Sequence, residues 1–348
     1  MTAMSRLHPP QPVEQFRVPQ DVAYNWEYDA TRTKLLRLYE NAKRDQWNGT
    51  TRLDWSVDVD PHSELVPDMA LGIYGTPMWE KLTPAEIERL RHEAITWQLC
   101  QFLHGEQGAL LATAQIVDTV PWYEAKQYGA TQVMDEARHV EVYRRFVQEK
   151  LEHEYPVNAQ LKQLLDTILS DSRWDIKFLG MQIMVEGLAL AAFSTMRDTT
   201  SNALLRDLTA AVMEDESRHV AFGVLSLREF CQNVSDQERR EREDFVYEAA
   251  VLMRDRILNR EVWEAMGLDA DACIAVALES PLAREFRRRL FSKIVPNVKS
   301  LGLLSDRQRE RFAALGILEF EHNTTSDVDQ AIDEERRARA GVAAPAAA

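Results

Sequence analysis

The stretch VMDEARHVEVY, residues 133–143, decides the fold. It sets Asp135, Glu136, Arg138 and His139 within five positions of an otherwise helical, apolar-periodic segment. Nearly the same string, DESRHVAF, returns at 215–222, where Asp215, Glu216, Arg218 and His219 each stand 80 residues after their counterparts. A solvated charge run has no reason to repeat so closely. On a helix, residues three apart project to one side, about 60° apart around the axis. Glu136 with His139, and Glu216 with His219, are therefore two grips that could each hold a metal ion.

E-x-x-H alone is a weak signal, so the sharper test is whether other helices carry lone carboxylates at matching height. Glu106 sits in FLHGEQGALLATAQIV and Glu186 in MQIMVEGLALAAF, both among apolar residues. A buried carboxylate is costly unless paired or metal-bound. In two antiparallel helices joined by a short turn, residues at equal height lie equally far from it. The midpoint of Glu106 and Glu136 is Pro121, and that of Glu186 and Glu216 falls in the breaker cluster DTTSN. Each ligand pair then lies about 15 residues, or roughly 22 Å, from its turn. One Glu from each of two helices and a Glu-x-x-His from each of two others make a dinuclear carboxylate site in a four-helix bundle. Four carboxylates, two imidazoles and no thiolate suit iron or manganese better than zinc or copper.

The remaining letters of the motif fit the same picture. A metal-bound imidazole usually donates its other N–H to a carboxylate or carbonyl. Asp135 and Asp215 each lie four residues before a candidate His and could accept from the His of the other half. Arg138 and Arg218 could neutralise those carboxylates by planar pairing.

Outside the motif the chain of 348 residues is 45% apolar and 28% charged, and its period is helical nearly throughout. The expected fold is all-α: a four-helix bundle with additional N- and C-terminal helices. An extended leader is expected over 1–29, one metal-binding domain over 30–325 and a flexible tail over 326–348. Helices are expected over 30–47, 83–121, 122–155, 171–198, 203–233 and 236–266, then shorter ones to about 320. Thr83, Pro84 and Glu86 form a capping-box start for the second of these. The net charge of −15 argues against a nucleic-acid partner. No apolar run of about 18 residues is apparent, so no membrane span is expected. Three dispersed cysteines and the lack of a secretory signal point to a cytoplasmic protein without a disulfide framework.

With these residues the chain resembles the ferritin-like, ribonucleotide-reductase-like superfamily of diiron carboxylate proteins over roughly 85–232. DEARH and DESRH are similar to the hydroxylase subunits of bacterial multicomponent monooxygenases and to the arylamine N-oxygenases. The resemblance implies O2 activation at two irons, with a manganese–iron pair as the alternative. It also implies a small-molecule substrate, an external electron donor such as a ferredoxin or flavin reductase, and a homodimer. Two departures stand out. The monooxygenase hydroxylases carry a Thr where this chain has Leu190, and the arylamine oxygenases carry a seventh ligand, a His, where it has Val212.

The expected activity is therefore that of a diiron oxygenase that hydroxylates or N-oxygenates a small organic molecule. Glu106, Glu136 and His139 would hold one iron, and Glu186, Glu216 and His219 the other, with carboxylate bridging possible. Tyr143, one turn after His139, keeps a radical-generating or ligand-binding oxidase as the alternative, with acyl desaturation close behind and iron storage last. Met184, Phe193 and Phe222, with Met181, could wall a substrate pocket, or be plain core. Gly187 and Gly223 could leave volume for O2 or substrate. The segment containing Trp47 and Trp55 suggests a packing role only.

Overall fold

The computed structural model describes residues 14–60 and 65–339, and among these there are helices and no strands. The eight longest helices are α1 (Thr33–Arg44), α2 (Pro84–Thr119), α3 (Tyr123–Lys150), α4 (Ala159–Ser170), α5 (Trp174–Thr199), α6 (Ala203–Asn233), α7 (Asp236–Arg256) and α8 (Ser326–Arg339). Four of them, α2, α3, α5 and α6, converge on one buried polar cluster.

Local signals set most boundaries. Thr83 and Glu86 form the reciprocal capping box that opens α2, satisfying amide groups that have no partner within the helix. The α2–α3 turn is residues 120–122 with Pro121 at its centre, and the α5–α6 turn is residues 200–202. Asn202 caps α6 by accepting from the Leu205 N–H at 2.9 Å. Both turns lie where equal ligand height demands them.

Elsewhere the chain departs from expectation. α3 stops at Lys150, and α4 is a separate helix in a stretch where none was expected, capped by Asn158. The helix expected over 236–266 is two, broken at Asn259, whose φ of 52° is left-handed. Inside α5, Leu179–Val185 winds as a π-helix, and the Glu186 N–H reaches back to the Met181 carbonyl. Such an insertion tends to mark a functional site, and no residue count reveals it.

Two expectations need correcting. The stretch from residue 326, expected to be a flexible tail, forms α8 as far as Arg339; residues 340–348 lie outside the described residues. α8 is docked by ion pairs to partners far away in sequence: Asp327 to Arg228 at 2.9 Å and Glu334 to Arg37 at 2.6 Å. An acidic run reads as solvated until its cations are in place. An apolar run long enough to cross a membrane is also present after all. It lies in α5, with mean hydropathy 1.5 over an 18-residue window. Of that window 89% is buried inside the molecule, so α5 has the composition of the innermost helix of a bundle.

Candidate metal centre

The four helices bring all six candidate ligands together. Glu106 comes from α2, Glu136 and His139 from α3, Glu186 from α5, and Glu216 and His219 from α6, and every one is buried. Their ligand atoms form two overlapping groups, Glu106–Glu136–His139–Glu216 and Glu136–Glu186–Glu216–His219, each with its atoms within 4.8 Å of one another. Glu136 and Glu216 belong to both groups. The Glu-x-x-His carboxylates are thus common to the two groups, whereas Glu106 and Glu186 belong to one group each. Both imidazoles turn Nδ1 inward, His139 to Glu216 at 3.2 Å and His219 to Glu136 at 3.1 Å.

The outward edges of the imidazoles cross between the halves. His139 Nε2 lies 3.1 Å from Asp215 Oδ2, and His219 Nε2 lies 3.3 Å from Asp135 Oδ2. An imidazole edge facing an ionised carboxylate carries a proton, so that Nδ1, turned toward the cluster, would be the nitrogen that binds a metal ion. Arg138 donates to Asp135 and, at 2.8 Å, to Asp215. Arg218 donates to Asp215. Burial opposes the charge on Asp215, but His139, Arg218 and Arg138 hold its carboxyl well below the usual range.

Sequence reasoning missed two members of this network. Gln46 donates to Asp135 at 2.8 Å and accepts from Arg138 at 2.8 Å. Trp47 Nε1 donates to Asp215 at 2.7 Å, and its ring lies under the Arg138 guanidinium. Both follow α1, in a segment whose pattern gives no chemical signal. The unusual pairing of Trp with polar neighbours was the only hint.

Whether this cluster suits metal ions can be judged from its unmet bonding. Glu136 Oε2, Glu186 Oε2, both Glu216 oxygens and His219 Nδ1 are buried without a well-directed hydrogen bond, although an imidazole Nδ1 stands 3.2–3.4 Å from three of these oxygens. Burial and the nearby Glu216 charge push the Glu106 carboxyl well above its ordinary range, and the same two causes raise Glu186. Buried, mutually repelling carboxylates crowded around two imidazoles are what two hard divalent cations would relieve. The donors fit iron or manganese.

The remaining residues separate into cavity lining and core. A cavity of about 30 Å³ reaches Glu106, Glu186 and Glu216 and is lined by Phe193 and Gly105 among others. It adjoins a second, of about 80 Å³, with which it shares Gln101, Phe102, Leu188 and Arg256. Met181, Met184 and Phe222 are fully buried and line neither cavity; Phe222 packs on Tyr128 and Phe178. Gly223 does not leave space: a Cβ there would stand 2.6 Å from Gln182 Cβ. At Gly187 a Cβ would meet Ile294 at 3.2 Å, and only Gly105 of the three has nothing within 4 Å. Tyr143 is buried against Phe102 and Phe193, and its hydroxyl has no partner. Val212 and Leu190 are both buried.

Residues 29–302 match the model of the p-aminobenzoate N-oxygenase AurF family. The chain belongs to that family. The AurF family membership makes it an O2-dependent diiron oxidoreductase acting on a small organic substrate. No curated relative matches the sequence. Among solved structures, an R2-like ligand-binding oxidase with an aerobically reconstituted Mn/Fe cofactor shares 17% identity, over 76% of this chain and 98% of its own, at a TM-score of 0.47. A tyrosine-to-phenylalanine variant of that oxidase, also 17% identical over the same shares, scores 0.48. Likeness at that level adds nothing to the functional argument, which rests on the family and the site.

Proposed function

We propose that this member of the AurF family N-oxygenates a small aromatic amine that carries an anionic group, held by Arg256. Arg256 closes α7 with 8% of its surface exposed and lines both cavities. Its guanidinium donates to Met253 Sδ at 3.6 Å, and among the described residues it has no carboxylate partner. Burial alone lowers its pKa, to about 10. An unpaired buried cation is unfavourable, and a bound carboxylate would relieve it by bidentate pairing.

Glu106, Glu136 and His139 would hold one ion and Glu186, Glu216 and His219 the other, with Glu136 and Glu216 shared. The bound pair supplies the O2 activation that no side chain can. The chain's own work is positioning. Asp135 and Asp215 fix the imidazole tautomers, Phe102 and Phe193 keep the adjoining cavity apolar, and Arg256 orients the substrate by the end remote from the amine. Substrate oxidation by mass spectrometry tests this reading. Arg256→Gln should raise KM at least tenfold for an aminobenzoate and leave a neutral aniline unaffected. Equal effects on both substrates would sink the anchor.

Tyr143 supports the second reading, a radical-generating or ligand-binding oxidase, because its unpartnered phenol adjoins Phe193 beside the cavity. A persistent tyrosyl signal in the electron paramagnetic resonance spectrum after O2 exposure, absent from Tyr143→Phe, would favour it. A homodimer is supported by the exposed apolar row Val22, Tyr24, Trp26 and Tyr28. The three free, buried cysteines agree with a reducing cytoplasm. An external reductant, ferredoxin or flavin reductase, completes the proposal.

A further inference from the structure

The two halves of the site match at the ligands and diverge one turn away. Gln132, four residues before Glu136, corresponds to Val212 in the second half, and Gln182, four before Glu186, corresponds to Phe102. Likewise Tyr128 corresponds to Leu208 and Thr113 to Phe193. One end of the metal cluster is therefore flanked by polar side chains and the other by apolar ones, all of them buried.

Gln132 is the member of the polar layer that touches the ligands. It is 0% exposed, and its Nε2 donates to Glu136 Oε1 and to Glu186 Oε1, each at 3.0 Å. One amide thus bridges two helices, tying the outer carboxylate of the His219-side position to a shared one. Its Oε1 is buried without a partner. A polar atom kept unsatisfied in a core has to be explained by something other than packing. On the other side Glu106 has no such clamp: its carboxylate contacts His139 Nδ1 at 3.3 Å, and Val212 offers no hydrogen bond.

We infer that Gln132 is a positioning residue that makes the two metal positions unequal, by pre-orienting Glu186 and Glu136 for the ion on the His219 side. The inference rests on the two-metal reading of the site. Pre-orientation reduces the ordering that binding must impose, so the His219-side position is the tighter. The Glu106-side position keeps a terminal carboxylate that is freer to shift.

The test is calorimetric titration of the metal-free protein with Mn(II), with helical content checked by circular dichroism. Wild type should take up two equivalents with different affinities. Gln132→Met, close in volume but without donors, should weaken the tighter equivalent by about 10–100-fold, the usual effect of losing a ligand's hydrogen-bond partner, and the other by clearly less, through the shared Glu136 alone. In a His219→Ala background, where only the His139-side position keeps its imidazole, Gln132→Met should weaken the remaining equivalent by clearly less than that factor. If Gln132→Met does not fold, Gln132→Asn, one methylene too short to span both carboxylates, replaces it with the same expectation. Equal weakening of both equivalents, or of neither, overturns the inference. Failure of wild type to bind two equivalents overturns instead the two-metal reading on which it rests.

Discussion

His139 on α3 and Asp215 on α6 stand 3.1 Å apart, Nε2 to Oδ2, and His219 returns the contact to Asp135 at 3.3 Å. Each half of the site thus fixes the imidazole of the other. The exchange is not quite even. Asp215 also accepts from Arg138, Arg218 and Trp47, whereas Asp135 accepts from Arg138 and Gln46.

Asp215→Asn and Asp135→Asn should both keep the helical fold and lower metal affinity, by about 10–100-fold for such partners. Asp215→Asn should cost more, because it removes the carboxylate to which Arg218 is hydrogen-bonded as well as one of the two that hold Arg138. Metal content after dialysis against a chelator, measured for the two variants side by side, checks the order. Equal metal content in both and in wild type would make the network irrelevant to the metal.

Sharing of Glu136 and Glu216, as proposed, predicts an asymmetric loss of metal. Glu136→Ala or Glu216→Ala removes a donor from both positions and should leave close to no bound metal. Glu106→Ala or Glu186→Ala removes an outer donor from one position only and should retain about one ion per chain, judged by the ligand count each position keeps. Elemental analysis per protein chain decides it. Four variants with the same stoichiometry would contradict the sharing.

Glycine substitutions should separate packing from cavity. Gly223→Ala drives a methyl into Gln182 Cβ, and overpacking of this kind costs about 1–3 kcal/mol. Gly105→Ala meets nothing within 4 Å and should gain up to about 1 kcal/mol from helix propensity. Thermal unfolding of the two variants should move in opposite directions.

The Glu93–His153–Tyr155 cluster gives a pH dependence away from the metals. His153 lies 3.0 Å from Glu93 Oε2, and that carboxylate raises the imidazole pKa above its ordinary value. Burial works against the Glu93 charge, but His153 and Tyr155 together draw its pKa below the usual value. A raised His pKa stabilises fully below the unfolded value of about 6.5 and fades as pH rises through the folded value. The depressed Glu93 contributes above about 4.5 and is lost as pH falls through its folded pKa. The deficit of His153→Gln in denaturant unfolding should therefore peak near pH 5–6 and shrink on the alkaline side. A deficit that is flat from pH 5 to 9 would contradict the ion pair.

The ligands were legible because helical spacing is a local property. Glu136 with His139, and the same pair 80 residues on, need only a regular helix to face one way. Pro121 and the DTTSN cluster break helices wherever they stand. From those facts the equal heights of Glu106 and Glu136, and of Glu186 and Glu216, follow by counting. The capping box at Thr83 and Glu86 is local in the same sense. Gly223 was misread as space beside the second His, since a missing side chain shows only that nothing is attached, not what fills the gap.

What the sequence by itself determined was the set of helices in the bundle, their turns and the helix faces that carry the six candidate donors, because each depends on contacts within a few residues. The tertiary structure alone decided that Glu136 and Glu216 belong to both candidate ligand groups, because that depends on how far four helices approach one another. It decided that Gln46 and Trp47 belong to the site, 89 and 168 residues from the Asp135 and Asp215 they hold. It decided that Arg256, unremarkable in a basic stretch of α7, lies buried beside the cavity with no carboxylate partner among the described residues. Helix periodicity states which side of a helix a residue occupies. Only packing states what lies opposite, and there the long-range electrostatics and the open volume of this site are set.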